Sequence, residues 1–221
     1  MTVQNTEVEY PVHITIELVE NLMNNNDVRK VCVFASSSNF LDEVYYNDAR
    51  ELGKLLGQNG YDIVYGGSNL GLMWACASQV KEFGGKVTGV MPEKLHSMGV
   101  FTKGCDEFII TAGMRERKAK IDEISDAVIT LAGGFGTLEE ISEMIVQKQL
   151  GYNKKPIIIL NTNGFYDKLN AFFEEIIEEK FANKNMRCIY YIAQTPQDAI
   201  DYLKNYKPSE LDVDKNAIYA R

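Results

Sequence analysis

The sequence predicts a doubly wound, Rossmann-like α/β fold, a parallel sheet between two helical layers in a single domain. Three observations carry this. Short apolar runs alternate with longer stretches of helical periodicity from Arg29 to Tyr206. That alternation marks parallel strands joined by right-handed crossovers. Three loops that are polar or rich in glycine, beginning at Ala35, Gly66 and Gly133, each follow a strand. In a parallel sheet they then share the carboxyl edge, where such folds bind ligands. The size also fits: 221 residues, 45% hydrophobic and 24% charged, suffice for one core with short appendages.

In chain order, residues 1–27 read as an N-terminal extension, with Ile14, Leu18 and Leu22 spaced for one amphipathic helix and Asn24–Asp27 as a break. The domain is expected over 28–206. Arg29–Phe34 is strand one and Ala35–Asn39 a small polar loop. Leu41–Gln58 is a helix, with Val44, Ala49, Leu52, Leu55 and Leu56 on its apolar side. Tyr61–Tyr65 is strand two, Gly66–Gly71 a loop, and Leu72–Phe83 a helix. Strand three lies within Gly85–Met91. Pro92–Cys105 reads as irregular, followed by a short strand at Glu107–Thr111. Met114–Ser125 is a helix with Met114 and Ile121 on its buried stripe. Residues 127–131 form a strand, and a helix covers Ile141–Leu150 after the third loop. Pro156–Leu160 is a strand, Phe165–Phe181 a helix and Cys188–Ile192 the last strand. Thr195–Tyr206 is a helix with a threonine cap, and 207–221 a polar tail.

Composition excludes several functions. A net charge of -8 without a basic run argues against nucleic acid. No apolar stretch reaches membrane-spanning length and no signal peptide opens the chain, so a cytoplasmic protein is expected. The four cysteines are scattered and read as reduced thiols. With two histidines, His13 and His96, neither a histidine metal site nor a Ser-His-Asp triad is readily built. Chemistry must then fall to carboxylates, Arg, Lys or groups of the substrate, with no metal and no cofactor.

Three motifs remain. Gly133–Glu140 joins a buried strand to a helix. Its glycines allow close ligand approach, Thr137 and Glu140 have the spacing of a capping box, and a new helix start offers bare N–H groups to an anion. It fails the dinucleotide fingerprint, because Glu139 stands where the third glycine belongs. Gly66–Met73 has the glycine spacing of a P-loop but lacks its Lys-Ser/Thr, so it can hold an anion without being an NTPase loop. Gly113–Lys118 puts Arg115, Arg117 and Lys118 at a helix start, where cations oppose the helix dipole. That face is either simply solvated or sends Arg117 to the ligand, as an anion fork or a partner for Glu140.

Taken together, these motifs resemble the LONELY GUY (LOG) family of cytokinin riboside 5′-monophosphate phosphoribohydrolases. The family patterns M-x-x-R-K, G-G-x-G-T-x-x-E and G-G-x-x-x-G-L-M stand here at Met114–Lys118, Gly133–Glu140 and Gly66–Met73, and the Ser-rich loop after Cys32–Phe34 is similar. The resemblance spans roughly 29–192. The family often carries the label "lysine decarboxylase", yet no pyridoxal-type signature is present here. The resemblance implies a homodimer that hydrolyses the N-glycosidic bond of a nucleoside 5′-monophosphate to free base and ribose 5-phosphate. It implies Arg117 and Glu140 as the catalytic pair. Substrate contacts are expected from Ser36, Gly66, Gly67, Gly71, Met73, Arg117, Lys118, Gly133, Gly134, Gly136, Thr137 and Glu139. This chain departs from the family at Arg115, at Ala132, at Met98–Gly99 in place of an acidic residue, and at Ile145 or Val146 in place of a threonine. The last two departures are expected on the base side of the pocket. Two other readings stay open: a plain AMP nucleosidase, and a carrier of nucleotide or molybdenum cofactor.

Overall fold

The computed structural model describes residues 28–99 and 104–208. Seven strands form one parallel sheet: β1 (Lys30–Phe34), β2 (Asp62–Tyr65), β3 (Val87–Pro92), β4 (Glu107–Thr111), β5 (Ala127–Thr130), β6 (Ile157–Leu160) and β7 (Tyr191–Ala193). Their spatial order is β4-β3-β2-β1-β5-β6-β7, every neighbouring pair parallel. The chain winds outward from β1 to β4, then returns to lay β5 on the other side of β1. The switch point therefore lies between β1 and β5, where a crevice opens above the carboxyl ends.

Both faces of the sheet are covered, which is why the strands read as continuous apolar runs. Side chains of β1 alternate between two cores. Val31 and Val33 join Ala49, Leu52 and Leu56 of α1 (Glu43–Gln58), Cys76 and Val80 of α2 (Gly71–Glu82), and Leu203 of α7 (Pro196–Asn205). Cys32 and Phe34 join Ile121 of α4 (Met114–Ile124), Ile141 and Met144 of α5 (Phe135–Gln149), and Ile177 of α6 (Asp167–Glu178). The short α3 is Glu93–Ser97. α1 and α2 pack closely because Gly53 has no side chain: a Cβ there would stand 2.2 Å from the Cys76 carbonyl oxygen. Among the described residues, no helix is long and apolar enough to cross a membrane.

Four expectations need correction. The stretch from Pro92 holds the helix α3, so it is not wholly irregular. The segment expected as the last strand begins as a 3-10 helix at Lys184–Cys188, and β7 pairs with β6 only from Tyr191 to Ala193. The helix expected over Phe165–Phe181 is shorter, with a 3-10 turn at Thr162–Gly164 before it. Helix α5 begins at Phe135, with Gly134 at its cap position and no side-chain cap, so Thr137 and Glu140 do not form a capping box. They lie inside the helix, and both are buried. By contrast Thr195 does cap α7, accepting from the Asp198 amide at 3.1 Å. The reading of residues 1–27 as an extension and most of the 207–221 tail lie outside the described residues.

Candidate active site

The loops after β1, β2, β3 and β5 and the start of α4 enclose a cavity of about 520 Å³. That is within the roughly 300–1,000 Å³ of small-molecule sites. Three sequence features hold the loops together. The Ser36 amide donates to the Ala132 carbonyl at 3.1 Å, joining the β1 loop to the β5 loop across the switch point. The Leu72 amide donates to the Ser36 carbonyl at 2.9 Å, and the Gly71 amide to Asn39 Oδ1 at 2.8 Å, joining the β1 loop to the start of α2. Gly71 has φ +58° and lies against Ser36 and Ser37, so a side chain there would be both strained and crowded.

Arg117 and Glu140 meet in this cavity. They are only 8% and 9% exposed, and Arg117 Nη1 donates to Glu140 Oε1 at 2.5 Å. Arg117 Nε donates to the Val90 carbonyl at the end of β3, at 3.1 Å. The guanidinium is thus anchored on one strand and aimed at a helix that follows another. Burial pushes the Glu140 carboxyl above the ordinary glutamate range, and the Arg117 charge opposes that rise without cancelling it. The start of α4 is closed by Glu116, whose Oε2 accepts from the Ala112 amide at 2.8 Å and sets a negative charge beside the helix dipole's positive end.

Of the residues expected to contact substrate, Ser36, Gly66, Met73, Arg117, Gly134, Gly136 and Thr137 line the cavity, together with Glu140. Gly67 and Gly71 do not line it: a Cβ on Gly67 would meet the Phe108 ring, and one on Gly71 the backbone of Ser36 and Ser37. Gly133 gives Thr137 its place, since a Cβ there would be 2.1 Å from Thr137 Oγ1. Lys118 and Glu139 are ion-paired to each other, and Lys118 also reaches Glu143 Oε2 at 2.6 Å. That pairing raises the Lys118 ammonium pKa, the Glu139 contact foremost.

Two sequence readings are altered by packing. Met114 is 48% exposed and lines the cavity, while Arg117 and Ile121 are the buried members of α4. Ile145 and Val146, expected on the base side, instead line a separate apolar groove with Phe173, Ile176 and Tyr190. The residues missed by sequence reasoning are Ala35, Ser37, Ser38, Ser68, Leu70, Met91, Leu95 and Met114. Ser37 and Ser38 belong to the Ser-rich loop already noted. Leu95 and Met114 are apolar residues in polar surroundings, and only the cavity gives them a use. Among the described residues no group of three or more His, Cys, Asp or Glu is placed to hold a metal ion.

Comparison with known proteins places this geometry among relatives. The family profile described as "Possible lysine decarboxylase" matches residues 73–203. The cytokinin riboside 5′-monophosphate phosphoribohydrolase LOG of Oryza sativa subsp. japonica is 39% identical over 180 residues, covering 81% of this chain and 74% of that protein. The cytokinin riboside 5′-monophosphate phosphoribohydrolase LOG5 of Arabidopsis thaliana is 37% identical over 180 residues, covering 81% and 79%. Among solved structures, the molybdenum cofactor binding protein from Rippkaea orientalis superposes with a TM-score of 0.62 at 25% identity, covering 80% of this chain and 96% of that one.

Proposed function

The chain belongs to the LOG family of cytokinin riboside 5′-monophosphate phosphoribohydrolases, and from that premise we propose that it hydrolyses the N-glycosidic bond of an adenine-type nucleoside 5′-monophosphate. The products are free base and ribose 5-phosphate. The observation that carries this reading is the buried Arg117–Glu140 pair beside the glycine-rich start of α5.

The phosphate belongs at that helix start. The first N–H groups of a helix have no intrahelical acceptor, and the helix dipole favours negative charge there. α5 is 15 residues long, and Gly134 at its cap with Gly136 and Thr137 of its first turn line the cavity. Glu140 lies about one turn further along α5 and faces C1′ of the ribose. As the C1′–N bond lengthens, positive charge develops on the sugar, and a buried carboxylate stabilises it strongly. Water then adds: its oxygen bonds to C1′, its proton passes to Glu140, and the base departs with the electron pair of the broken bond and takes up a proton. A carboxylate whose pKa burial has raised is a better acceptor for that proton. Arg117 holds Glu140 in place and turns its remaining N–H groups toward the ligand. Ser36 and the Gly66 loop complete the anion contacts, Gly133 supports them, and Lys118 and Glu139 bound the ribose side. We assign the protein to the cytoplasm and to a homodimer, without a nucleic-acid or membrane partner, and its hydrolysis requires no metal or organic cofactor.

The pair favours hydrolysis over a carrier role, because a site that only holds an anion gains nothing from a buried carboxylate. The test is incubation with AMP and chromatography of the products. Equimolar adenine and ribose 5-phosphate are expected. Glu140→Gln, which keeps the shape, should lower turnover by about 10²-fold or more while AMP still binds. Intact AMP with the wild type, or full turnover by the variant, overturns the proposal.

A further inference from the structure

The loop after β5, from Leu131 to Gly134, hands the chain from the sheet to α5 with two glycines and no polar side chain of its own. On its α1 side it borders a second cavity, of about 230 Å³, walled by Leu41, Tyr45 and Phe165. Packing restrains the loop poorly on that side, so hydrogen bonds must set its course. The Ser36 amide supplies one of them, to the Ala132 carbonyl. Tyr166, 35 residues further along the chain, supplies another: its hydroxyl donates to the Leu131 carbonyl at 2.8 Å.

Tyr166 is itself fixed. It stands at the cap position of α6 and is buried. Its amide donates to Asn161 Oδ1 at 2.8 Å, and the Asn161 amide donates to the Ala193 carbonyl of β7 at 2.8 Å. The 3-10 turn between Asn161 and Tyr166 passes through Asn163 and Gly164 at φ +52° and +70°, and Thr162 Oγ1 ties it to Asp48 Oδ2 at 2.6 Å. Phe165 packs edge-on to Tyr45 and to Tyr166, with ring centres 5.9 and 4.9 Å apart. Burial raises the Tyr166 phenol pKa, and the Gly133 amide beside the same oxygen opposes the rise. The hydroxyl therefore keeps its proton at neutral pH, and one phenolic oxygen faces the loop at both Leu131 and Gly133.

We infer that Tyr166 is a positioning residue for the substrate's phosphate: through Leu131 it sets the direction in which the amides at the start of α5 point. The inference rests on the proposed function, which puts the 5′-phosphate against Gly134, Gly136 and Thr137. Tyr166 does not line that cavity, so it acts through the loop and not on the substrate. Leu131 is buried, and a buried carbonyl that loses its donor is costly to leave unpaired. The loop must then shift to find another partner, and its glycines let it do so at little steric cost. The amides lose their aim. Hydrogen bonds to a charged group are strong when aligned and weaken steeply with angle. Contacts to the ribose and base come from other elements and are spared.

The experiment substitutes Tyr166→Phe, which removes one oxygen and keeps the ring. Affinities for AMP and adenosine are measured by calorimetry in the Glu140→Gln background, and kcat/KM for AMP in the otherwise native chain. AMP should bind about tenfold or more weakly, adenosine should stay within about threefold, and kcat/KM should fall by about 10–10²-fold. Tyr191→Phe is the control. Its hydroxyl donates to Asp198 Oδ1 at 2.8 Å, away from the cavity, and its loss should leave both affinities unchanged. A merely structural role would weaken AMP and adenosine together; that result, or no change in a folded Tyr166→Phe, overturns the inference. If Tyr166→Phe does not fold, Thr162→Val takes its place. It frees the turn from Asp48, keeps the hydroxyl, and should narrow the ratio of AMP to adenosine affinity by about threefold; an unchanged ratio is the contrary result. The two readings fail differently. Adenine released from AMP with the ratio unmoved defeats the role of Tyr166 alone. A ratio that narrows in a protein releasing no adenine defeats hydrolysis and leaves Tyr166 standing.

Discussion

Gly66 is where Arg117 needs an empty space: a Cβ on Gly66 would lie 2.8 Å from Arg117 Nη2 and 3.1 Å from Met73 Sδ. The β2 loop and α4 are far apart in sequence, and their contact fixes the direction of the guanidinium. Gly66→Ala should displace Arg117 by a fraction of an ångström up to about 1 Å. Misplacement on that scale costs about 10²-fold in rate. Because the Gly66 backbone is not in the left-handed region, the fold should survive with a loss of about 1–2 kcal/mol. Unchanged kcat/KM in a folded variant would show that the guanidinium's direction is immaterial.

Removing the guanidinium should leave Glu140 buried beside nothing that favours its charge. Arg117→Met should destabilise the protein by about 3–5 kcal/mol at neutral pH. Burial already raises the Glu140 pKa and Arg117 opposes the rise, so the variant's value goes higher still. A group with a raised folded pKa binds a proton more tightly folded than unfolded, and stability returns as pH falls through that raised value. Denaturant titrations from neutral to acid pH should show the deficit shrinking. A constant deficit across that range would contradict the coupling.

The acid limb of the wild-type rate profile follows from the same group. In the proposed mechanism Glu140 works as an anion, so kcat/KM should decline as pH drops through a pKa above the ordinary glutamate value of 4.5. A limb at or below 4.5 would point to a different base.

The 5′-phosphate should matter more than any other part of the substrate. Two hydrogen bonds to a charged group, at about 1.5–3 kcal/mol each, correspond to about 10³-fold. Adenosine should therefore fall behind AMP by about 10³-fold in kcat/KM. Equal rates on the two would remove the start of α5 from the site.

Lys148 offers a check on stability away from the cavity. It is buried near the end of α5, with Nζ donating to the Lys155 carbonyl at 2.8 Å and to the Tyr206 hydroxyl at 3.0 Å. Burial lowers its pKa from 10.5 to about 8. Unfolding therefore takes up a proton between those values, and the wild type gains stability as pH rises from about 8 to 10.5. Relative to Lys148→Met, that gain should be about 3 kcal/mol. A flat difference across the window would mean that the buried ammonium stays charged.

Much of the site was legible without coordinates. The glycine-rich joints after apolar strands, the order of the three motifs and the identities of Arg117 and Glu140 all stand in the primary structure. Each depends on residues close together in the chain. The parallel sheet was legible for the same reason, since alternation of strand and helix is a local pattern.

What local pattern could not supply was the direction of side chains after folding. Sequence suggested that Thr137 caps a helix, but α5 starts at Phe135. Each residue by which a helix start shifts turns every later side chain by about 100°. The start at Phe135 turns Glu140 inward to Arg117, and Ile145 and Val146 away from the cavity. The apolar end over β3 was illegible too, because Met91, Leu95 and Met114 come from three elements that only the crossover from β4 back to β5 brings to one edge. The sequence by itself determined which residues could do chemistry and where strands would alternate with helices. Only the tertiary structure decided that an arginine and a glutamate 23 positions apart share one cavity. Their pairing depends on the rotation of two helices packed on different strands, and packing between distant segments sets that rotation.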